Sequence, residues 1–411
     1  MKEAPFFFLL LLPFSPSLSA QAQARTEITA KAGSSIRPII QGPVTIPISH
    51  DPALKDLSSV RLDWEVTVNG LPRQKGTTLN LPLALQRSQN LRIPVHVTVT
   101  AGDEVFLQLH YRLKKEAPPL PAGYRVAGQQ LLLKKPMGAD LSVHPDGILT
   151  LGDEGGIFTV NSPQVRLQFN KQTGWLQHYE AKGTSLLGDS TGLRSNFWRA
   201  PADTPSASGS SPSPDPWKQV TNTPHLQLFS TSTSSELVIV RADYELPEVF
   251  CTMHVRYTIN AKGEMQVEQS LDADSVQKGP MLSRFGMQWA LPAGFDSVTW
   301  YGEALAGKSG APGEPGEIAI YRQTIEEVFS GGSDAQERTA EGVRWWKLTN
   351  REGRGLLIHA DSSLLRMSRP SSREQPIEAA GLRQHVLNID HAQPGVLAYG
   401  SVRYSYKVTP F

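Results

Sequence analysis

The chain has 411 residues, with 40 Lys and Arg against 39 Asp and Glu, and a single cysteine, Cys251. This length exceeds one ordinary domain, and either half is long enough to bury a core of its own. Balanced charge without a long basic run argues against nucleic acid as a partner, and a lone cysteine rules out an internal disulfide framework.

The first element in chain order is a targeting segment. Lys2 precedes the apolar run 6–12, which is followed by a Pro/Ser stretch and then "AQAQA". Small residues fill both specificity positions if cleavage follows Ala22 or Ala24, so the segment 1–24 reads as a cleaved secretory signal. Neither this run nor any later one approaches the roughly 20 apolar residues of a membrane span. Cys251 does not follow the signal, so it offers no lipoprotein anchor. The expectation is a periplasmic or secreted protein whose core is large enough to need no disulfide.

Beyond the signal the dominant period is two. Residues 105–111 and 165–169 alternate in this way, and no stretch shows a long helical period. In 251–259, Cys251, Met253, Val255, Tyr257 and Ile259 alternate with Thr252, His254, Arg256 and Thr258, the pattern of a half-buried strand. Turn chemistry at 260–263 then leads to Met265 and Val267. Facing parity sets Tyr257 opposite Val267 and therefore Arg256 opposite Glu268, because a one-residue slip would oppose apolar to polar. Strands joined by Gly, Pro, Asn and Asp turns imply an all-β protein of sandwich type. The charged and proline-rich segment 114–123 marks the end of a first sandwich over 25–116. A connection over 117–138 and a second unit over 139–411 follow. Within the second unit, 203–216 has almost no apolar side chains and reads as a flexible surface loop.

Residues 196–203 read "NFWRAPAD" and resemble the "NFWRAPTDND" element that opens the small-chain domain of glycoside hydrolase family 2 β-galactosidases. The segment 160–187 before it is similar to the strands leading into that motif. "LSRFGMQWALP" with Arg284, "VTWYGEAL" with Trp300 and Tyr301, "VRWWKLTNREGRGLLI" and "LNIDHAQPGV" with Asp390 follow in the family's order. Upstream, "LDWEVTVNG" and "PPLPAGYRVAGQQLLL" look like the immunoglobulin-like domain that precedes the small chain. The resemblance implies an N-terminal immunoglobulin-like β-sandwich followed by a galactose-mutarotase-like β-supersandwich.

What is missing bears equally on function. A retaining glycosidase needs two carboxylates about 5 Å apart, and in family 2 both belong to a (β/α)₈ barrel of about 250 residues preceding the immunoglobulin-like domain. This sequence has neither that length nor that pattern, and the signal directly ahead of the first sandwich leads us to expect no barrel in the chain. The loops by which the family's small chain completes the sugar site also differ: "GEALAGKSGAPGEPG" follows Tyr301, and Tyr399 stands where the family carries a glycine-rich, tryptophan-bearing loop. No catalytic residue is therefore assigned, and no cofactor or metal is expected; His385 and His391 have no metal-ligand spacing.

A carbohydrate-binding surface remains. An aromatic platform beside Arg and carboxylate groups suits a polyhydroxylated ring. The candidates are His254, Arg256 and Glu268 on polar strand faces, Trp198, Arg199, Asp203, Arg284, Trp300 and Tyr301 at the landmarks, and Tyr399 as a stacking substitute. For Arg256 and Glu268 the plain alternative is a cross-strand ion pair, and for Trp198 and Trp300 it is core packing. The expected function is an exported small-chain-like protein that binds carbohydrate, galactosides above all, and serves a barrel-bearing β-galactosidase as an accessory subunit. A free-standing carbohydrate-binding module and a mutarotase-type enzyme using His254 and Glu268 are the alternatives.

Overall fold

The computed structural model describes residues 39–48, 59–79, 81, 89–188, 192–199, 215–234, 236–274, 276, 279–292, 294–305, 317–330, 338–361, 365–369, 386–391 and 400–411. The expected signal segment, Asp203, His385 and Tyr399 lie outside these residues.

The chain is all-β, in two sandwiches. Six strands form the first: β1 (Ile39–Ile48), β2 (Val60–Val68), β3 (Leu71–Thr78), β4 (Gln89–Thr98), β5 (Val105–Leu113) and β6 (Arg125–Lys134). β1 pairs with β4 alone, and the other four make a sheet in the order β3-β2-β5-β6. Leu62, Trp64, Val66, Ile93, Val95, Leu107 and Leu109 meet in its core. β6 falls in the stretch read from sequence as a connection, yet it pairs with β5. Its sequence, RVAGQQLLLK, has a central glycine and three consecutive leucines, so no period of two announces it.

The second sandwich packs a ten-stranded sheet against a nine-stranded one, which gives the expected supersandwich. Every strand pairing described in it is antiparallel. Side chains from both sheets form one core, within which Phe169 meets Tyr257 edge-on at 5.0 Å between ring centroids. Cys251 belongs to this core, and burial pushes its thiol pKa up to about 11, so at neutral pH it is a packing residue. Among the described residues no helix is long and apolar enough to cross a membrane. The last two residues of the expected flexible loop, Asp215 and Pro216, instead start a helix, Pro216–Asn222. Asp215 caps it by accepting from the Trp217 amide at 2.9 Å, and proline is tolerated at the first turn because its missing N–H would be unsatisfied there anyway.

The sandwiches join through a hairpin tip. Asn69 and Gly70 connect β2 to β3 with φ of 52° and 78°, the left-handed pair that an Asn-Gly turn adopts. A Cβ on Gly70 would sit 2.8 Å from Ile320 Cγ1 and 2.9 Å from the Tyr301 ring, so the tip docks onto the second sandwich only as glycine. The Glu104 amide donates to Asn69 Oδ1 at 2.9 Å, which holds the Glu104 backbone beside the joint. Its carboxylate takes the Arg344 guanidinium at 2.7 and 2.8 Å and the Tyr301 hydroxyl at 2.8 Å. From β6, Gln130 makes a two-way amide bond to the Ile318 backbone, and Arg125 pairs with Glu317. Burial explains why β5 departs from the expected alternation: its first five residues are all buried, since this end of the strand adjoins the joint.

Candidate functional site

The outward face of the nine-stranded sheet carries the polar constellation. Leu237–Leu246, Cys251–Ile259, Met265–Ala273 and Ser401–Pro410 lie side by side in it. In each, alternate residues face the core: Val240, Ala242 and Tyr244; Met253, Val255 and Tyr257; Val267, Gln269 and Leu271; Tyr404 and Tyr406. The intervening residues form rows across the sheet. One row reads Arg241, Arg256, Glu268, Ser405; the next reads Asp243, His254, Ser270, Arg403. The register expected from parity, with Arg256 opposite Glu268, is the register observed. Thr258, expected on the polar face, is buried at 7% exposure.

All the residues of these rows but Asp243 line an open groove of about 300 Å³, to which Asp361 also contributes. Arg256 Nη1 donates to Glu268 Oε2 at 3.0 Å. Arg241 Nε donates to Asp243 Oδ1 at 2.9 Å, and His254 Nδ1 lies 2.7 Å from the same oxygen. The other ring nitrogen of His254 is 3.4 Å from Asp272 Oδ2, so the imidazole is held between two carboxylates. Asp361 accepts from the Ser405 amide at 3.1 Å and its hydroxyl at 3.2 Å. Partial burial works to raise the Asp243 carboxyl, but hydrogen bonds and positive charge from Arg241 and His254 outweigh it and hold its pKa below the usual carboxylate range. Arg241 and Arg256 stand directly across from one another, a like-charge pair that is unfavourable in itself and is offset by the two carboxylates. The groove thus presents fixed charges of both signs and hydroxyls on a rigid sheet.

Of the ten residues singled out by sequence, the groove brings together His254, Arg256 and Glu268. Five others lie elsewhere. Arg284 is 1% exposed and its Nε sits 3.1 Å from Asp390 Oδ2, while Nη1 donates to the Trp198 carbonyl at 3.0 Å. Trp300 is fully buried, stacks on Tyr321 at 5.5 Å and donates its indole N–H to the Glu303 carbonyl. Tyr301, 2% exposed, belongs to the joint between the sandwiches. In this arrangement Arg284, Trp300 and Tyr301 offer a sugar no accessible face. Trp198 is half-buried with the Lys218 ammonium 4.5 Å above its ring, and Arg199 follows it on the same segment. Asp203 and Tyr399 lie outside the described residues. The sequence reading missed Arg241, Asp243, Ser270, Asp361, Arg403 and Ser405. Parity within Leu237–Leu246 and Ser401–Pro410 would have placed the first two and Arg403 on outward faces, but nothing local says that these strands flank Cys251–Ile259 and Met265–Ala273.

Fold and groove together define a two-sandwich all-β protein with a charged surface site on one sheet. The family model "Beta galactosidase small chain" matches residues 161–404, and "Beta-galactosidase, domain 4" matches residues 49–134. The chain belongs to the β-galactosidase small-chain family. It is similar to the Beta-galactosidase of Priestia megaterium (strain DSM 319 / IMG 1521), 29% identical over 312 residues, which covers 74% of this chain and 29% of that protein. It is also similar to the Beta-galactosidase of Lactobacillus delbrueckii subsp. bulgaricus, 23% identical over 328 residues, with 79% of this chain and 31% of the relative covered. The chain therefore spans about three tenths of the length of these relatives. Among solved structures, galactose 1-epimerase from Lactobacillus acidophilus NCFM aligns with a TM-score of 0.43 at 8% identity, covering 64% of this chain and 98% of that one.

Proposed function

We propose that this chain is an exported carbohydrate-binding protein that serves a β-galactosidase catalytic chain as an accessory subunit. The observation that carries the binding reading is the groove, where Arg256, Glu268 and His254 converge with Ser270, Ser405 and Asp361 on a rigid sheet. Such a surface can hold a polyhydroxylated ligand through several charge-assisted hydrogen bonds at once. Family membership supports the association with a galactosidase. The N-terminal sandwich adds a further support: the exposed apolar side chains are Leu71, which opens β3, Leu79, which directly follows it, and Leu132 on β6. These are the edge strands of their sheet, where a partner chain would cover them.

The test is affinity capture with the tagged chain from the exported fraction of its own host, with the eluate assayed for galactosidase activity. Activity arriving with a barrel-bearing chain supports the accessory role. A clean bait without activity rejects that role and favours a free-standing carbohydrate-binding module, since the groove is built wholly from this chain. Export is tested separately, by sequencing the N-terminus of the mature protein for a cut after Ala22 or Ala24.

A further inference from the structure

We propose that the groove is selective for an acidic saccharide, a glycan carrying a hexuronate unit whose carboxylate seats on Arg403. The inference rests on the carbohydrate-binding reading above and narrows it to a ligand class. The first support is how the groove's basic side chains are engaged. Arg241 and His254 are bonded to Asp243, and Arg256 is bonded to Glu268. Arg403 is exposed and, among the described residues, makes neither a hydrogen bond nor an ion pair. Its planar fork, which matches a carboxylate with two parallel N–H donors, is left for a ligand.

The second support is that, among the described groove residues, none offers a stacking platform. The aromatic side chain there, Tyr404, is 2% exposed and donates its hydroxyl to the Ile389 carbonyl within the core. A neutral galactoside depends on an aromatic face for much of its apolar contact, whereas the described lining recognises through charge and hydrogen bonding. Ser270 lies between His254 and Arg403 in the same row. Two inter-strand steps of about 4.8 Å separate His254 from Arg403, roughly 10 Å for a sugar unit and its carboxylate to span.

The experiment is calorimetric titration of the full chain at low ionic strength with three probes: trigalacturonate, galactotriose and sulfated galactotriose. Trigalacturonate is expected to bind about tenfold more tightly than galactotriose, the margin of one charge-assisted bidentate contact. In Arg403→Gln that margin disappears, and Arg403→Lys keeps part of it. An unchanged melting temperature in both variants shows that the fold is intact, as an outward side chain on a sheet surface predicts. Equal affinity for the charged and neutral probes, or a margin that survives Arg403→Gln, overturns the inference and leaves carbohydrate binding standing. Tighter binding of the sulfated probe than of trigalacturonate overturns the carboxylate assignment. Binding of none of the three overturns both this inference and the carbohydrate-binding reading on which it rests.

Discussion

The core and joint of this protein and its groove are built from the same chemical parts, Arg paired with carboxylate, and put them to opposite use. Arg284 and Asp390 have side chains 0% and 3% exposed, and Glu104 with Arg344 is 6% and 18% exposed. Arg256 and Glu268 are 49% and 40% exposed. A buried pair has lost its water, so removing one partner strands the other charge; an exposed pair keeps its water and exchanges partners at little cost. The core and joint pairs therefore fix geometry, whereas the groove pairs stay accessible to solvent.

The sharpest way to break this contrast is Arg284→Met. It leaves Asp390 buried without its guanidinium and is expected to cost about 3–5 kcal/mol, read from the midpoint of urea unfolding. Glu104→Gln at the joint keeps the shape but removes the charge that Arg344 and Tyr301 address. An expected loss of about 2–3 kcal/mol would appear in the same measurement and as faster proteolysis between the sandwiches. Gly70→Ala forces a Cβ into Tyr301 and Ile320 at a left-handed φ, and about 1–2 kcal/mol is expected from calorimetric melting. Arg256→Gln in the groove should change stability by less than about 1 kcal/mol; a loss as large as that of Arg284→Met would erase the distinction between the regions.

The smallest effect expected is on pH. The Asp243 pKa is depressed by Arg241 and His254, so its stabilising contribution is fully present above the ordinary aspartate pKa of about 3.9 and is lost as pH falls through the lower, folded value. The Asp243 contribution should be flat from about pH 5 to 7 and fall below about pH 4, and Asp243→Asn should flatten the limb of a melting-temperature profile below about pH 4. A limb that persists in the variant assigns the loss to other carboxylates.

Much of this was legible in the residues themselves. Side-chain alternation is a local property of an extended backbone, so 251–259 declares its two faces wherever the strand sits, and the turn at 260–263 sets its partner and register. Alternation and turn chemistry alone therefore place His254, Arg256 and Glu268 together on one face. Ordered motifs carried the family, and with it the two sandwiches. β6 escaped because three consecutive leucines and a glycine have no period, and its pairing is decided by β5 rather than by its own sequence.

The sequence by itself determined which side chains oppose one another within a strand or hairpin, because that information lies within a few residues. Tertiary structure alone decided two further matters. One is neighbourhood: Ser401–Pro410 completes the groove by pairing with Met265–Ala273, although a long stretch of chain separates them, and thereby brings Arg403 beside Ser270 in the row that holds His254. The other is burial. Arg284, Trp300 and Tyr301 are polar or aromatic types that serve equally at a binding surface or in a core. Only the packing of the second sheet and of the Asn69–Gly70 hairpin closes them off from solvent.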